Sequence, residues 1–405
     1  MTPRLSRFQK RGSFWASASV LALCLWASGA PSVLYPTYAA EWELSSTVIT
    51  TIFATYPVVL LVVLLVFGSI SDTIGRRRAM LMGVGLILVS GLVFIAAPDV
   101  AWLYIGRALQ GAGAGLAIGA ASASLVENNT SSNPRLASSL TAASTALGLT
   151  LALLVSGTLA QYAPLPEQLS YGVLVVLSGV VFVAVFVMPL QAPDARATPW
   201  RPQAMHVPRP ALGVFVVATL AVSVAYSVGA VFLSLGASIA RELTGTTNLL
   251  VIGALLAISS VMIGTTAIVL QRIHSHVAVI VGAVVSLGGL ALLELCASTG
   301  SIALFLLWCI VGGIGYSLVF MGGLGLISRA TEPRHRGATL SALYLFSYLF
   351  QAVTAIGAGV LATALGLAVS VDIIAPLVGI LALLTAVLAA VDWRVRVRPE
   401  VALAQ

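Results

Sequence analysis

Gly68-Ser69-Ile70-Ser71-Asp72-Thr73-Ile74-Gly75-Arg76-Arg77-Arg78 is a short charged stretch between two long apolar runs. An acid is followed by a glycine turn and three consecutive arginines. Gly75 allows a sharp turn of the backbone, and Gly68 is expected to let a neighbouring helix approach closely. Arginines at the end of an apolar run resist translocation, which puts this loop on the cytoplasmic side. The flanking sequence needs a membrane. Of 405 residues 59% are hydrophobic and 8% are charged, with a mean hydropathy of +1.06. A water-soluble domain carries about 25% charged residues, so soluble enzymes and soluble binding modules are excluded.

Working outward, twelve apolar runs can be laid along the chain, at about 14–38, 47–70, 79–97, 101–126, 137–161 and 170–190, then 211–238, 248–271, 276–297, 301–328, 338–363 and 370–391. Each is near or above the roughly 20 residues that cross a bilayer as a helix. The first is too long for the apolar segment of a cleaved signal peptide. Between the sixth and seventh runs, residues 191–210 hold five prolines and three arginines and read as a semi-rigid cytoplasmic linker. The expected architecture is therefore all-α. It has a six-helix bundle over 1–190, the linker, and a second six-helix bundle over 211–405, with both termini cytoplasmic.

Charge placement supports the count of twelve. With both termini inside, every Lys and Arg except Arg107 and Arg241 falls on the cytoplasmic side. The net charge of +7 therefore sits at run ends rather than on one patch, and a nucleic-acid partner is not expected. Cys24, Cys296 and Cys309 are isolated in apolar runs and imply neither disulfide nor metal. His206, His274, His276 and His335 read as solvated histidines of loops and run ends. No phosphate-binding loop or nucleophile–base set appears, so neither cofactor nor enzymatic activity is expected.

The opening stretch resembles the loop between the second and third helices of the major facilitator superfamily, G-x-x-x-D-R-x-G-R-R. Gly68, Asp72, Gly75, Arg76 and Arg77 match, and Thr73 replaces the usual Arg. The fourth run adds Arg107-Ala-Leu-Gln110-Gly111-Ala-Gly113, similar to that superfamily's R-x-x-x-G-x-G pattern. A weak internal repeat pairs Gly111 and Gly113 with Gly313 and Gly315. It also pairs Pro134-Arg135 with Pro333-Arg334. The resemblance implies a multi-pass transporter of a bacterial inner membrane, working as a monomer. Two halves would rock about a central site to give alternating access. It implies that Gly68, Asp72, Gly75, Arg76 and Arg77 act as a conformational latch, with the eleventh run as the expected partner. It also implies that Arg107 faces a cavity and takes part in substrate or proton coupling.

The residues themselves carry a separate reading. A buried Arg costs a few kcal/mol, so Arg107 should face protein or water; snorkelling to the outer interface or pairing with Glu41 or Asp99 is the plainer alternative. Gly111, Gly115 and Gly119 make a smooth face for helix packing. Ser341, Tyr344, Tyr348 and Gln351 fall three and four residues apart and share one face of the eleventh run. Tyr35, Tyr56, Tyr226, Tyr316 and Phe320 are further candidates for substrate contact, and Trp26 is a weaker one. The fifth run keeps Gly148 and Gly157 of an antiporter-type glycine pattern but has Ala152-Leu153 and Ser156 where Gly-Pro and Gly are expected. No acid sits in the middle of any run, which disfavours cationic cargo. The expected function is proton-driven efflux of a small amphiphilic compound, with proton-coupled uptake as the alternative and a non-transporting membrane protein as a third class.

Overall fold

The computed structural model describes residues 6–68, 70–131, 136–189, 207, 211–331 and 333–396. They form α1 Arg7–Glu41, α2 Ser46–Phe67, α3 Ile70–Ile74, α4 Arg76–Ile95, α5 Val100–Glu127, α6 Leu136–Tyr162, α7 Pro166–Phe186, α8 Leu212–Thr244, α9 Leu249–Val269, α10 Ser275–Thr299, α11 Ile302–Ala330, α12 Pro333–Leu365 and α13 Leu367–Arg396. All except α3 are long and apolar enough to cross a membrane, giving twelve spanning helices among the described residues. The fourth run is therefore α5 and the eleventh is α12. Pro134-Arg135 lies outside the described residues, as does the 191–210 linker apart from residue 207.

Several ends differ from the hydropathy reading, each for a local reason. α1 starts at Arg7 because Ser6 and Gln9 form a reciprocal capping box, so the basic leader is helical. Asp99 caps α5 by accepting from the Ala101 amide at 2.8 Å. α7 starts with Pro166 in its first turn, where the missing amide hydrogen costs nothing. The Pro333 segment, read as a loop, is the start of α12.

The charged stretch is mostly helix rather than loop. Residues 70–74 make one turn, Gly75 breaks it at φ 92°, and Arg76 to Arg78 open α4. Only glycine adopts that φ without strain. Gly68 serves a different purpose from the one expected. A Cβ there would collide with the Leu64 carbonyl of its own chain, so Gly68 ends α2 rather than admitting another helix.

The chain separates into two compact units. Unit 1 comprises 1–44, 52–203 and 248–260; unit 2 comprises 45–51, 204–247 and 261–405. Within unit 1, α5 packs on α4 and α1, and α1 packs on α6. Gly113 meets the Gly83 backbone of α4, while Gly111 and Gly115 meet α2 at Tyr56, Leu60 and Val63. Gly119 faces open space, so the expected three-glycine face is two glycines long. Gly148 of α6 sits directly against the Ala22 carbonyl of α1. Within unit 2, α10 packs on α11 through Gly315 and Ser286, echoing the α4–α5 contact.

Candidate functional site

Arg107 lies on α5 with 0% of its surface exposed. Its Nη1 donates to Gln110 Oε1 at 2.9 Å and to the Ser28 carbonyl at 3.3 Å. Its Nη2 donates to the Phe53 carbonyl at 3.5 Å. The guanidinium lies 4.7 Å from the Tyr56 ring centre and 5.8 Å from that of Phe53. Gln110 follows Arg107 by three residues, which puts both on one face of α5. Phe53 and Tyr56 are related in the same way on α2.

Among the described residues no carboxylate lies within ion-pairing distance of Arg107. The alternative of pairing with Glu41 or Asp99 is therefore not what the structure contains; Asp99 is used as a helix cap. Carbonyl dipoles and aromatic faces hold the cation instead, without cancelling its charge. Arg107 Nε and Gln110 Nε2 are buried donors without a protein partner. A planar cation with a spare N–H beside a spare amide N–H suits a carboxylate, phosphate or other acceptor-rich group. Tyr35, buried on α1, is within electrostatic reach of Arg107 and leaves its hydroxyl without a protein partner.

Unit 2 holds an aromatic cluster. Tyr226 of α8 lies 4.7 Å from Tyr348 and 5.9 Å from Phe320, centre to centre. Tyr316 stacks on Phe320 at 6.0 Å, and Tyr344 lies 6.2 Å from Tyr348. Apart from Tyr226, these rings are half-buried against the core of α8, α10, α11 and α12. Gln351 extends the same α12 face and keeps a buried Oε1 without a protein partner. Among the described titratable groups there, the cluster carries only phenols and no acid or base. It can stack on flat apolar groups and offer phenol hydroxyls to acceptors.

The charged stretch forms a third site, at one end of unit 1. Arg76 Nη1 meets Asp72 Oδ1 at 2.5 Å and Ser71 Oγ at 2.6 Å, and its Nε meets Glu127 Oε1 at 3.2 Å. Arg77 donates to the Phe186 carbonyl at the end of α7 and lies 5.2 Å from that residue's ring centre. Asp72, Arg76 and Arg77 thus tie α3, α4, α5 and α7 together. Across helices, Arg76 pairs with Glu127 on α5.

The reading of His276 as solvated is corrected. It is buried as the second residue of α10, with Nε2 2.9 Å from Asp392 Oδ2 and its ring stacked near Trp393. Trp393 and His274 cover the pair, which sequence distance conceals. Among the described residues no three His, Cys, Asp or Glu side chains converge to hold a metal ion. Sequence reasoning also missed Tyr38 and Tyr171, which are buried near Arg107's end of α1 and α7. Tyr171 stacks on Phe94 at 4.4 Å.

Twelve helices long and apolar enough to cross a membrane, one of them carrying a fully buried arginine, define a multi-pass membrane protein. Residues 16–293 match the model of the Major Facilitator Superfamily, and the chain belongs to that family. It is a secondary transporter that works by alternating access. Among solved structures it is similar to a bacterial homolog of the human lysosomal transporter Spinster, in an inward-facing, unoccupied conformation. That likeness has 13% identity, a TM-score of 0.75, and coverage of 97% of this chain and 99% of the other. It is also similar to a variant of the nucleoside transporter NupG, at 12% identity and TM-score 0.74, covering 94% and 99%. At these identities the likeness shows the fold. Among curated proteins, none matches the sequence.

Proposed function

We propose that this transporter exports small amphiphilic organic compounds bearing an anionic or acceptor-rich group, driven by the proton gradient. The observation that supports this reading is Arg107, a fully buried cation without a carboxylate partner among the described residues and with a spare donor beside that of Gln110. An unpaired charge in a low-dielectric interior is costly, and a bound anion relieves that cost. The aromatic cluster of Tyr226, Tyr316, Phe320, Tyr344 and Tyr348 suits the apolar body of such a compound. The proposed setting is a bacterial inner membrane, as a monomer with both termini cytoplasmic. The halves 1–190 and 211–405 would rock about the linker, with Gly68, Asp72, Gly75, Arg76 and Arg77 holding one of the access states.

One observation favours a second reading, proton-coupled uptake. In α6, Ala152-Leu153 and Ser156 stand where an antiporter-type glycine pattern has Gly-Pro and Gly, so the antiport pattern is incomplete. The test is proton movement in inverted vesicles on adding a panel of anionic, neutral and cationic compounds, wild type against Arg107→Ala. Collapse of the pH gradient by anionic or neutral compounds, lost in Arg107→Ala, supports export by exchange. Accumulation of labelled anions in whole cells, with no such collapse, replaces export with uptake. Transport confined to permanent cations would overturn the role given to Arg107.

A further inference from the structure

The two units repeat one helix arrangement but differ at one position. α10 packs on α11 and α13 as α4 packs on α5 and α7. The eighth residue of each, Gly83 and Gly282, gives close contact with the neighbouring helix at Ala117 and Val319. The twelfth, Ile87 and Ser286, meets Gly113 and Gly315. Counted in the same way, the second residue is Arg77 in α4 and His276 in α10. Arg77 holds the end of α7 through the Phe186 carbonyl and ring. His276 holds the end of α13 through Asp392 and lies beside Trp393. A permanent cation in unit 1 is thus replaced by a titratable ring in unit 2.

The geometry of the pair is tight. His276 Nε2 lies 2.9 Å from Asp392 Oδ2, and the two side chains are only 10% and 11% exposed. Ring centres are 5.4 Å apart between His274 and His276 and 6.5 Å apart between His276 and Trp393, and both ring pairs are stacked. His276 Nδ1 is buried without a protein partner, so the ring holds α13 through Nε2. The charged groups at this end come from every packed helix. Arg272 and His274 precede α10, Arg329 lies in the last turn of α11, and Asp392 and Arg394 lie on α13. The first turns of α8 carry no titratable group, and α12, which packs on α13, opens with Arg334, His335 and Arg336. Asp392 is the acid in this basic surrounding.

Arginine keeps its proton throughout the physiological range, whereas histidine ordinarily changes charge between about pH 5 and 8. A protonated His276 donates to Asp392 as a charge-assisted pair; a neutral His276 donates an ordinary hydrogen bond from the same Nε2. The proton lost between these two forms is the one on Nδ1, which has no protein acceptor, and it passes to water. The contact keeps its geometry but loses the attraction of the ring's charge. We propose that His276 and Asp392 form a pH-responsive clasp between α10 and α13, tight while the ring is protonated and loosened as pH rises and the ring becomes neutral. Its counterpart in unit 1, Arg77 on Phe186, does not respond to pH. In the orientation proposed above the clasp lies at the cytoplasmic end, where it reads the pH of the cell interior. The inference goes beyond the proposed function and holds for either direction of transport. A loosened clasp frees the last turns of α13 and lowers the resistance of unit 2 to rearrangement.

The test is hydrogen–deuterium exchange of the full-length protein in lipid nanodiscs, read by mass on peptides from the last turns of α13. Exchange is compared at about pH 5.5 and about pH 8, near the two limits of the usual histidine range, after correction for the intrinsic pH dependence of amide exchange. Wild type is expected to open about fivefold more at the higher pH, the difference between a charged and a neutral hydrogen bond. His276→Gln and Asp392→Asn should each abolish that response. His276→Arg, which puts the permanent cation of unit 1 at this position, should keep the segment protected at both pH values. His274→Gln, at the exposed neighbouring ring, should leave the response in place. Peptides from the end of α7 should show no response, since Arg77 holds that end. Equal protection at both pH values in wild type, a response that survives in both His276→Gln and Asp392→Asn, or a matching response at α7 overturns the inference. Thermal unfolding in the same nanodiscs checks that each variant is folded. The gain of protection expected of His276→Arg cannot be imitated by misfolding.

Discussion

The two compact units place opposite chemistries at their centres. Unit 1 buries a cation held by carbonyl oxygens, an amide and two aromatic faces. Unit 2 gathers five aromatic rings whose polar atoms are phenols. In a low dielectric the first arrangement acts through charge, is strong and is intolerant of change. The second acts through contact area and stacking, where each pair contributes modestly. The two clusters therefore offer different chemistry, charge in one unit and apolar contact in the other.

The largest way to break the contrast is at Arg107. Arg107→Ala should lower transport of anionic compounds by about 100-fold or more, because truncation removes the buried cation and leaves the Gln110 amide oxygen without its donor. Arg107→Lys should restore only part of the rate, since a point charge cannot reproduce the planar fork. Initial rates in proteoliposomes decide this, and equal activity of the lysine variant would remove the argument for bidentate recognition.

Packing gives the next effect. Gly148→Val should destabilise unit 1 by about 1–3 kcal/mol through overpacking against Ala22, whereas Gly119→Ala should stay within about 0.5 kcal/mol. Unfolding in detergent compares the two. For unit 2, Tyr226→Leu should weaken binding of aromatic compounds by about tenfold while hardly changing that of saturated analogues. Indistinguishable losses for benzoate and cyclohexanecarboxylate would show that the rings serve packing alone. Asp72→Asn should cut transport rate by about fivefold with little change in binding, as suits a half-exposed ion pair that holds a conformation. Equal losses in rate and affinity would undo the latch.

The smallest effect concerns His274, on the loop before α10. Partial burial, then the neighbouring His276 and Arg329, holds its pKa below the usual 6.5. The unfolded chain then binds the proton more readily than the folded one, so this group subtracts stability as pH falls through 6.5 and nothing above it. His274→Gln should slightly reduce the acid-side loss of unfolding temperature; a larger loss in the variant would reverse the sign.

Much of the architecture was legible in the chain. Each run long enough to cross a bilayer became a helix, because backbone groups in lipid have no other partners. The boundaries moved where local chemistry, not hydropathy, rules: the Ser6–Gln9 box, the Asp99 cap and Pro166. Within the site, Arg107 with Gln110 and Tyr344 with Tyr348 were readable because helical spacing puts them on one face. Tyr171 was not, since nothing in either helix shows that its ring stacks on Phe94. His276 looked solvated for the same reason, as its partner Asp392 lies 116 residues away.

The sequence by itself determined the membrane setting, the twelve helices and the presence of one arginine inside a span, because these follow from composition and from periodicities of a few residues. Only the tertiary structure decided what surrounds that arginine: the absence of an acid beside it among the described residues, the Ser28 and Phe53 carbonyls, and the Tyr56 ring against it. Those depend on which helix faces pack together. That choice is made by shape and small-residue contact between helices, which a single apolar run does not encode.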